Sequence, residues 1–253
     1  MSRLGMADMG IATSNDMLTN ASMIASLSPS TPLIADADTG FGSAIIVGRT
    51  VTSYIRAGVA ALHLEDQVVN KRCGHLKNKQ LVPIAEFASR IKAASMARKQ
   101  AGTDLVIIAR TDALQSEGYD SAITRLRAAV AQGADAAFLE GVTSRALAEQ
   151  ACKDLAPTPC LFNNVPGGVS PDFGAKECRE MGYKIAIFPL MALDILYPAM
   201  RRAVRELVET GNVTSQEEGG RRYSPKELFQ VCGLDELVGF DQEAGGLGYR
   251  DGA

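Results

Sequence analysis

Asp36 and Asp38 stand two residues apart at the end of a short apolar run. If that run is a β-strand, its period of two places both side chains on one face at the C-terminal end. Carboxylates converging there repel each other unless a cation sits between them. Hard oxygen donors with room for water favour Mg²⁺, with Mn²⁺ as the alternative. A lone Asp-Ala-Asp more often caps a helix or makes a turn. Glu65, which ends the next apolar run with His63 two residues before it, tilts the balance toward a metal, and Asp8 adds a fourth acidic group.

Lys71-Arg72-Cys73-Gly74-His75 lies in the long connection that follows. A cysteine flanked by cations is expected to have a lowered thiol pKa, which suits it to giving and taking protons near neutral pH. Gly74 lets the backbone amides approach a carboxylate closely. The plain alternative is an exposed basic loop with a spectator thiol. Arg110 ends another apolar run, where it could clamp a substrate carboxylate with two parallel hydrogen bonds or pair with a neighbouring acid. Glu140 and Asn163 occupy equivalent positions, suited to binding a carboxylate or hydroxyl, or to capping.

These residues need elements to hold them. Apolar runs recur at 32–35, 59–64, 105–109, 136–139, 159–162 and 184–188. Each is continuous rather than alternating, as expected of parallel strands buried on both faces. Amphipathic helical patterns lie between them, such as 120–132 with Gly133 as its stop. The fold class is therefore α/β with a parallel sheet. Successive runs ending in polar residues favour a (β/α)8 TIM-type barrel, whose site is built from many strand ends. A short strand expected at 9–13 raises the count to seven, one short of a closed ring. The barrel domain is assigned to 1–210. A polar linker (211–222) and a C-terminal helical segment, opened by Ser224-Pro225-Lys226-Glu227, complete 211–253 and could pack on a partner subunit.

The 253 residues are 46% hydrophobic and 22% charged, so there is enough chain for a large core. The 26 Lys+Arg against 29 Asp+Glu give a net charge of −3 with no long basic run, which argues against nucleic acid. No apolar stretch approaches the ~20 residues that cross a bilayer, and the start lacks the apolar core of a secretory signal. The expectation is an intracellular, cytoplasmic protein, with a mitochondrial address open to a form carrying a further N-terminal segment. Five cysteines at irregular spacing, none in a Cys-X-X-Cys pair, suit reduced thiols rather than disulfides or structural zinc. Neither a dinucleotide fingerprint nor a P-loop is present.

Asp36-Ala37-Asp38-Thr39-Gly40-Phe41-Gly42, His63-Leu64-Glu65-Asp66-Gln67 and Lys71-Arg72-Cys73-Gly74-His75, in that order and spacing, resemble the isocitrate lyase/phosphoenolpyruvate mutase superfamily. The cysteine loop resembles its carbon–carbon lyase branch. The likeness continues through Ile108-Ala109-Arg110-Thr111-Asp112-Ala113, Phe138-Leu139-Glu140-Gly141 and Phe188-Pro189. It implies a (β/α)8 barrel with a C-terminal helix exchanged between subunits of a dimer, usually within a tetramer. It implies that Asp36 binds Mg²⁺ directly, with Asp38, Glu65 and Asp8 supporting it through water. Cys73 would be the general acid, while Gly74, His75, Arg110, Glu140 and Asn163 hold the carboxylates and hydroxyl of a small di- or tricarboxylate.

The implied reaction is cleavage of a 2-hydroxy or 2-oxo acid of the 2-methylisocitrate or 2-alkylmalate type. The alternatives are hydrolysis of oxaloacetate to oxalate and acetate, and an inactive truncated barrel that binds a ligand or partner. Relatives begin tens of residues earlier, so the resemblance implies a missing first strand with its carboxylate-binding Ser-Gly loop. Pro166 replaces a glutamate of many lyases, and Pro189 stands where dedicated oxaloacetate hydrolases tend to carry serine.

Overall fold

The computed structural model describes residues 2–213 and 223–249. The chain divides into two compact units between Leu190 and Met191. In the first, β1 (Ile34–Asp36), β2 (Ala61–Glu65), β3 (Val106–Thr111), β4 (Ala136–Leu139), β5 (Cys160–Asn163) and β6 (Ile185–Ile187) form one sheet in sequence order. All five pairings are parallel, in register from Asp36↔His63 through Glu65↔Arg110 and Arg110↔Phe138 to Asn163↔Ile187. This is the wall of a (β/α) barrel, a half-barrel of six strands.

Seven helices accompany the sheet: α1 (Ser14–Leu27), α2 (Ala44–Arg56), α3 (Ile84–Ala101), α4 (Ala113–Ser116), α5 (Tyr119–Ala131), α6 (Arg145–Asp154) and α7 (Ala175–Met181). Strand alternation divides the core in two. Leu62, Leu64, Ile107, Ala109, Leu139 and Phe162 belong to the large cluster that also contains Val47, Tyr54, Phe87 and Leu126 of the helices. Ala61, Ile108, Ala136, Phe138 and Leu161 form a smaller cluster on the other face. His63, Glu65, Arg110 and Asn163 continue that second face at the C-terminal ends of the strands, where apolar packing gives way to chemistry.

The strand expected at 9–13 does not form. Just before it, the Asp8 carbonyl accepts from the Cys73 amide at 3.2 Å. Gly10, at φ +67°, lies so close to the main chain of Lys71 that a Cβ would stand 3.2 Å from that residue's nitrogen. Thr13 then caps α1, accepting from the Asp16 amide while the Asp16 carboxylate accepts from the Thr13 amide at 2.9 Å. The segment thus packs against the cysteine loop and joins no ladder.

The second unit holds α8 (Met191–Thr210), α9 (Pro225–Val231) and α10 (Leu234–Glu243). By compactness α8 groups with this second unit, whereas the sequence reading drew its domain boundary at 210; none of the residues of α8 is buried. Ser224 caps α9 as expected, with Glu227 completing the capping box and proline in the first turn. Residues 214–222, most of the expected linker, lie outside the described residues. No described helix is long and apolar enough to cross a membrane.

Candidate active site

The turn after β1 is tight and unusual. Asp38 has φ +48°, a left-handed conformation that few side chains other than those of Asn and Asp tolerate, and its amide donates to Asp36 Oδ1 at 2.7 Å. Gly40 follows at φ +81°, where a Cβ would lie 2.5 Å from Val47 of α2. From the same helix, the Tyr54 hydroxyl donates to the Asp36 carbonyl at 2.8 Å. Helix and turn together hold the two aspartates at the strand end.

His63 Nδ1 lies 3.3 Å from Asp36 Oδ1, and Lys71 Nζ bridges Asp38 at 2.5 Å and Asp8 at 3.0 Å. All four predicted metal-binding acids are thereby brought to one end of the sheet. Asp8 and Asp38 share a lysine ammonium, a partner the spacing does not reveal. Burial and the Asp36 charge push Asp38 up to about 6, with Lys71 pulling the other way. Burial also raises Asp36, but His63, Lys71 and Arg110 outweigh it and keep its carboxyl low.

Glu65 is wholly buried, and neither of its oxygens accepts a hydrogen bond. Burial drives it well above the usual carboxylate range, and Arg110 Nε at 3.4 Å offsets only part of this. Among the described residues, no three His, Cys, Asp or Glu side chains converge as a metal cage. Mg²⁺ does not require one, since it keeps several waters and takes one or two carboxylates. Anionic Asp36 and the two free oxygens of Glu65 fit such an ion.

Arg110 is the hub of the rim. It pairs with Asp112 through Nε at 2.9 Å and with Glu140 through Nη2 at 3.5 Å, and its guanidinium lies 5.0 Å from the Phe138 ring centroid. Glu140 Oε2 accepts from Asn163 Nδ2 at 3.0 Å. Asn163 Oδ1 and His75 Nε2 are buried without a partner. The Val169 amide donates to His75 Nδ1 at 3.3 Å, which places the ring proton on Nε2 as an unused donor. Arg110, Glu140 and Asn163, predicted separately from three strand ends, form one continuous network.

The cysteine loop closes onto this network. Gly74 packs so tightly that a Cβ would fall 2.5 Å from Arg110 Nη2 and 2.9 Å from Glu140 Cγ. Gln67 holds the loop's base, donating to the Arg72 carbonyl at 2.9 Å and accepting from the Arg72 amide at 3.1 Å. Gly74→Ala is expected to force the loop or the arginine aside, a strain of about 1–3 kcal/mol read as roughly a tenfold or greater loss in kcat/KM. Parent-like kinetics in that variant would show that the loop seat has slack.

The Cys73 thiol departs from expectation. Burial pushes its pKa up rather than down; Lys71 and Arg110 act against this but are already engaged by carboxylates. A half-buried thiol that stays protonated can still donate a proton. Sequence reasoning also missed Lys79 and the depth of Asp66. Asp66 accepts from Thr111 Oγ1 at 2.5 Å and from the Asp112 amide at 3.0 Å, so it anchors the end of β3. Its place beside Glu65 at a strand end was the only available signal.

Acids, an arginine and a thiol loop at the C-terminal rim of parallel strands define an enzyme of the α/β-barrel class. The family model described as phosphoenolpyruvate phosphomutase matches residues 2–208. The 2-methylisocitrate lyase of Escherichia coli (strain K12) is 44% identical over 215 residues, covering 85% of this chain and 69% of that protein. The crystal structure of a 2,3-dimethylmalate lyase matches with a TM-score of 0.94 at 50% identity, over 100% of this chain and 82% of that one. An oxaloacetate acetylhydrolase bound to the inhibitor 3,3-difluorooxalacetate matches at 0.93 and 47%, over 98% and 82%. The chain belongs to the PEP mutase/isocitrate lyase superfamily, as the motifs around Asp36, Glu65 and Cys73 led us to expect.

Proposed function

We propose that the chain is a carbon–carbon lyase that cleaves a small 2-hydroxy di- or tricarboxylic acid of the 2-methylisocitrate or 2-alkylmalate type. The observation that carries this reading is the set of buried, unsatisfied polar atoms on Glu65, His75 and Asn163, residues of the rim and of the loop over it. Buried polar atoms normally find partners, and these are suited to an oxygen-rich ligand.

In this reading Arg110, His75 and Asn163 hold the carboxylates and hydroxyl, with Glu140 orienting Arg110 and Asn163. A base takes the proton of the 2-hydroxyl, its oxygen becomes a carbonyl, and the C–C bond breaks. The electron pair passes to the carbon next to a carboxylate, and the Cys73 thiol protonates that carbon. Asp36 and Glu65 would hold Mg²⁺, with Asp38 and Asp8 behind them; the ion supplies positive charge against the developing oxyanion. The Arg110 guanidinium adds fixed charge of the same sign.

The similarity to an oxaloacetate acetylhydrolase favours a second reading, cleavage of hydrated oxaloacetate to oxalate and acetate. Pro189 weighs against it. Assembly with further copies is part of the proposal, supported by exposed Met191, Ile195, Tyr197 and Met200 on α8.

A Mg²⁺-dependent screen of 2-methylisocitrate, 2,3-dimethylmalate, isocitrate and oxaloacetate, following pyruvate, glyoxylate and oxalate, tests the function. Release of pyruvate or glyoxylate supports the lyase, oxalate supports the hydrolase, and no product from any of the four counts against both. Asp36→Ala is expected to abolish Mg²⁺ binding in a calorimetric titration. Unchanged affinity would remove Asp36 from the ligand set.

A further inference from the structure

Lys79 carries a cation into the interior, with its side chain only 1% exposed. Its Nζ donates to two acceptors: the Gly74 carbonyl at 2.6 Å and Asp112 Oδ1 at 2.9 Å. The first belongs to the cysteine loop, one residue after Cys73. The second belongs to the carboxylate that also accepts from Arg110 Nε at 2.9 Å and Nη2 at 3.3 Å. One ammonium therefore joins the loop that carries the thiol to the arginine at the rim's centre.

A hydrocarbon side chain would fill this volume without the cost of burying a charge. The ammonium adds two charge-assisted hydrogen bonds, one to each of two separate parts of the site. The Asp112 end is itself fixed, because the Asp112 amide donates to Asp66 Oδ1 at 3.0 Å and Arg125 pairs with Asp66 at 3.3 Å. The loop end is otherwise held by Gln67 at Arg72 and by the Cys73 amide on Asp8, on its N-terminal side, and by the Val169 amide donating to His75 beyond the thiol. Lys79 supplies the tether at Gly74 itself, the residue next to the thiol.

We propose that Lys79 is a positioning residue, seating the Gly74 carbonyl against the Asp112–Arg110 pair so that proton donor and carboxylate clamp keep a common geometry. This rests on the lyase reading for its effect on turnover, but not for its effect on the loop. The site needs both parts in register at once, and a misplacement of about 1 Å costs on the order of 100-fold in rate.

The test uses the full chain and the variants Lys79→Met and Lys79→Gln, with alkylation of each cysteine by iodoacetamide followed by mass spectrometry. Loss of a hydrogen bond to a charged donor should raise the Cys73 rate about tenfold in the Met variant. Gln should recover part of this, because its amide can still donate to Gly74. Buried Cys160 and Cys178 should stay protected, which reports an intact core. On whichever acid the parent cleaves, kcat/KM should fall about 100-fold with Met and less with Gln.

An unchanged Cys73 rate in both variants overturns the proposal. So does a rise shared by Cys160 and Cys178, or failure of both variants to fold, because either makes Lys79 a general core residue. If the parent cleaves none of the acids, the lyase reading fails, while the alkylation rates still decide where Lys79 acts.

Discussion

Replacing Cys73 with serine is expected to lower turnover about 10²- to 10⁴-fold, the range for removing a positioned proton donor, with fold and Mg²⁺ affinity retained. The thiol and hydroxyl are close in size, so the loop seat against Arg110 and Glu140 survives. Acidity is what changes. The Cys73 thiol is held protonated by burial, yet it remains a far better acid than an alcohol toward a carbanion. The serine variant should therefore cleave poorly while binding substrate nearly as well, with the loss in kcat rather than KM. Circular dichroism and a Mg²⁺ titration check the intact background. Turnover at the parent rate would exclude Cys73 as the proton donor.

The second large effect is expected at Arg110, and it concerns stability as well as chemistry. This guanidinium lies within ion-pair distance of Glu65, Asp112 and Glu140, three carboxylates that are essentially inaccessible to water. Arg110→Met fills much of the same volume but leaves three buried acids short of a counter-charge. Breaking a buried pair from one side costs about 3–5 kcal/mol. Urea unfolding should show a loss of that order, together with loss of activity. Arg110→Lys keeps the charge but not the planar fork that serves two partners at once, so it should recover stability better than turnover. A Met variant as stable as the parent would mean that the ion pairs around Arg110 contribute nothing net, and the electrostatic account of the rim would fall.

Much of this arrangement was legible in the chain. The six apolar runs became the six strands, 136–139 unchanged and the other five shifted by a residue or two at their ends, because a strand buried on both faces leaves an unbroken apolar signature that helices of this length do not. Polar residues at the run ends were legible for the same reason: Glu65, Arg110 and Asn163 each close an otherwise unbroken apolar run. The segment at 9–13 misled, since Met9, Ile11 and their neighbours look like a strand, while Gly10 packs against the main chain of Lys71 and Thr13 caps α1.

Partnerships across long sequence distances were not legible. Lys71 sits two residues from Cys73 and was read as lowering its pKa, but in space it is engaged by Asp8 and Asp38. Asp66 meets Thr111 and Arg125, and Lys79 meets Asp112, separations of 33 to 59 residues that no local pattern encodes. Burial, which decides the sign of the Cys73 and Glu65 shifts, emerges only when the loop closes over the rim.

The neck of that loop carries a wider consequence. Val68 donates to the Gln80 carbonyl and Val82 to the Asp66 carbonyl, each at 2.9 Å, and Gln67 pairs with Leu81 as an isolated antiparallel bridge. The two ends of the excursion meet there, so the barrel receives it as a closed cassette. Insertions or exchanges between the ends add little closure entropy and leave the register of β2 and β3 unchanged. Exposed positions of the excursion such as Val69, Arg72 and Leu76 can therefore vary without disturbing the sheet beneath, whereas Lys71, Gly74 and Lys79 are bound into the buried rim.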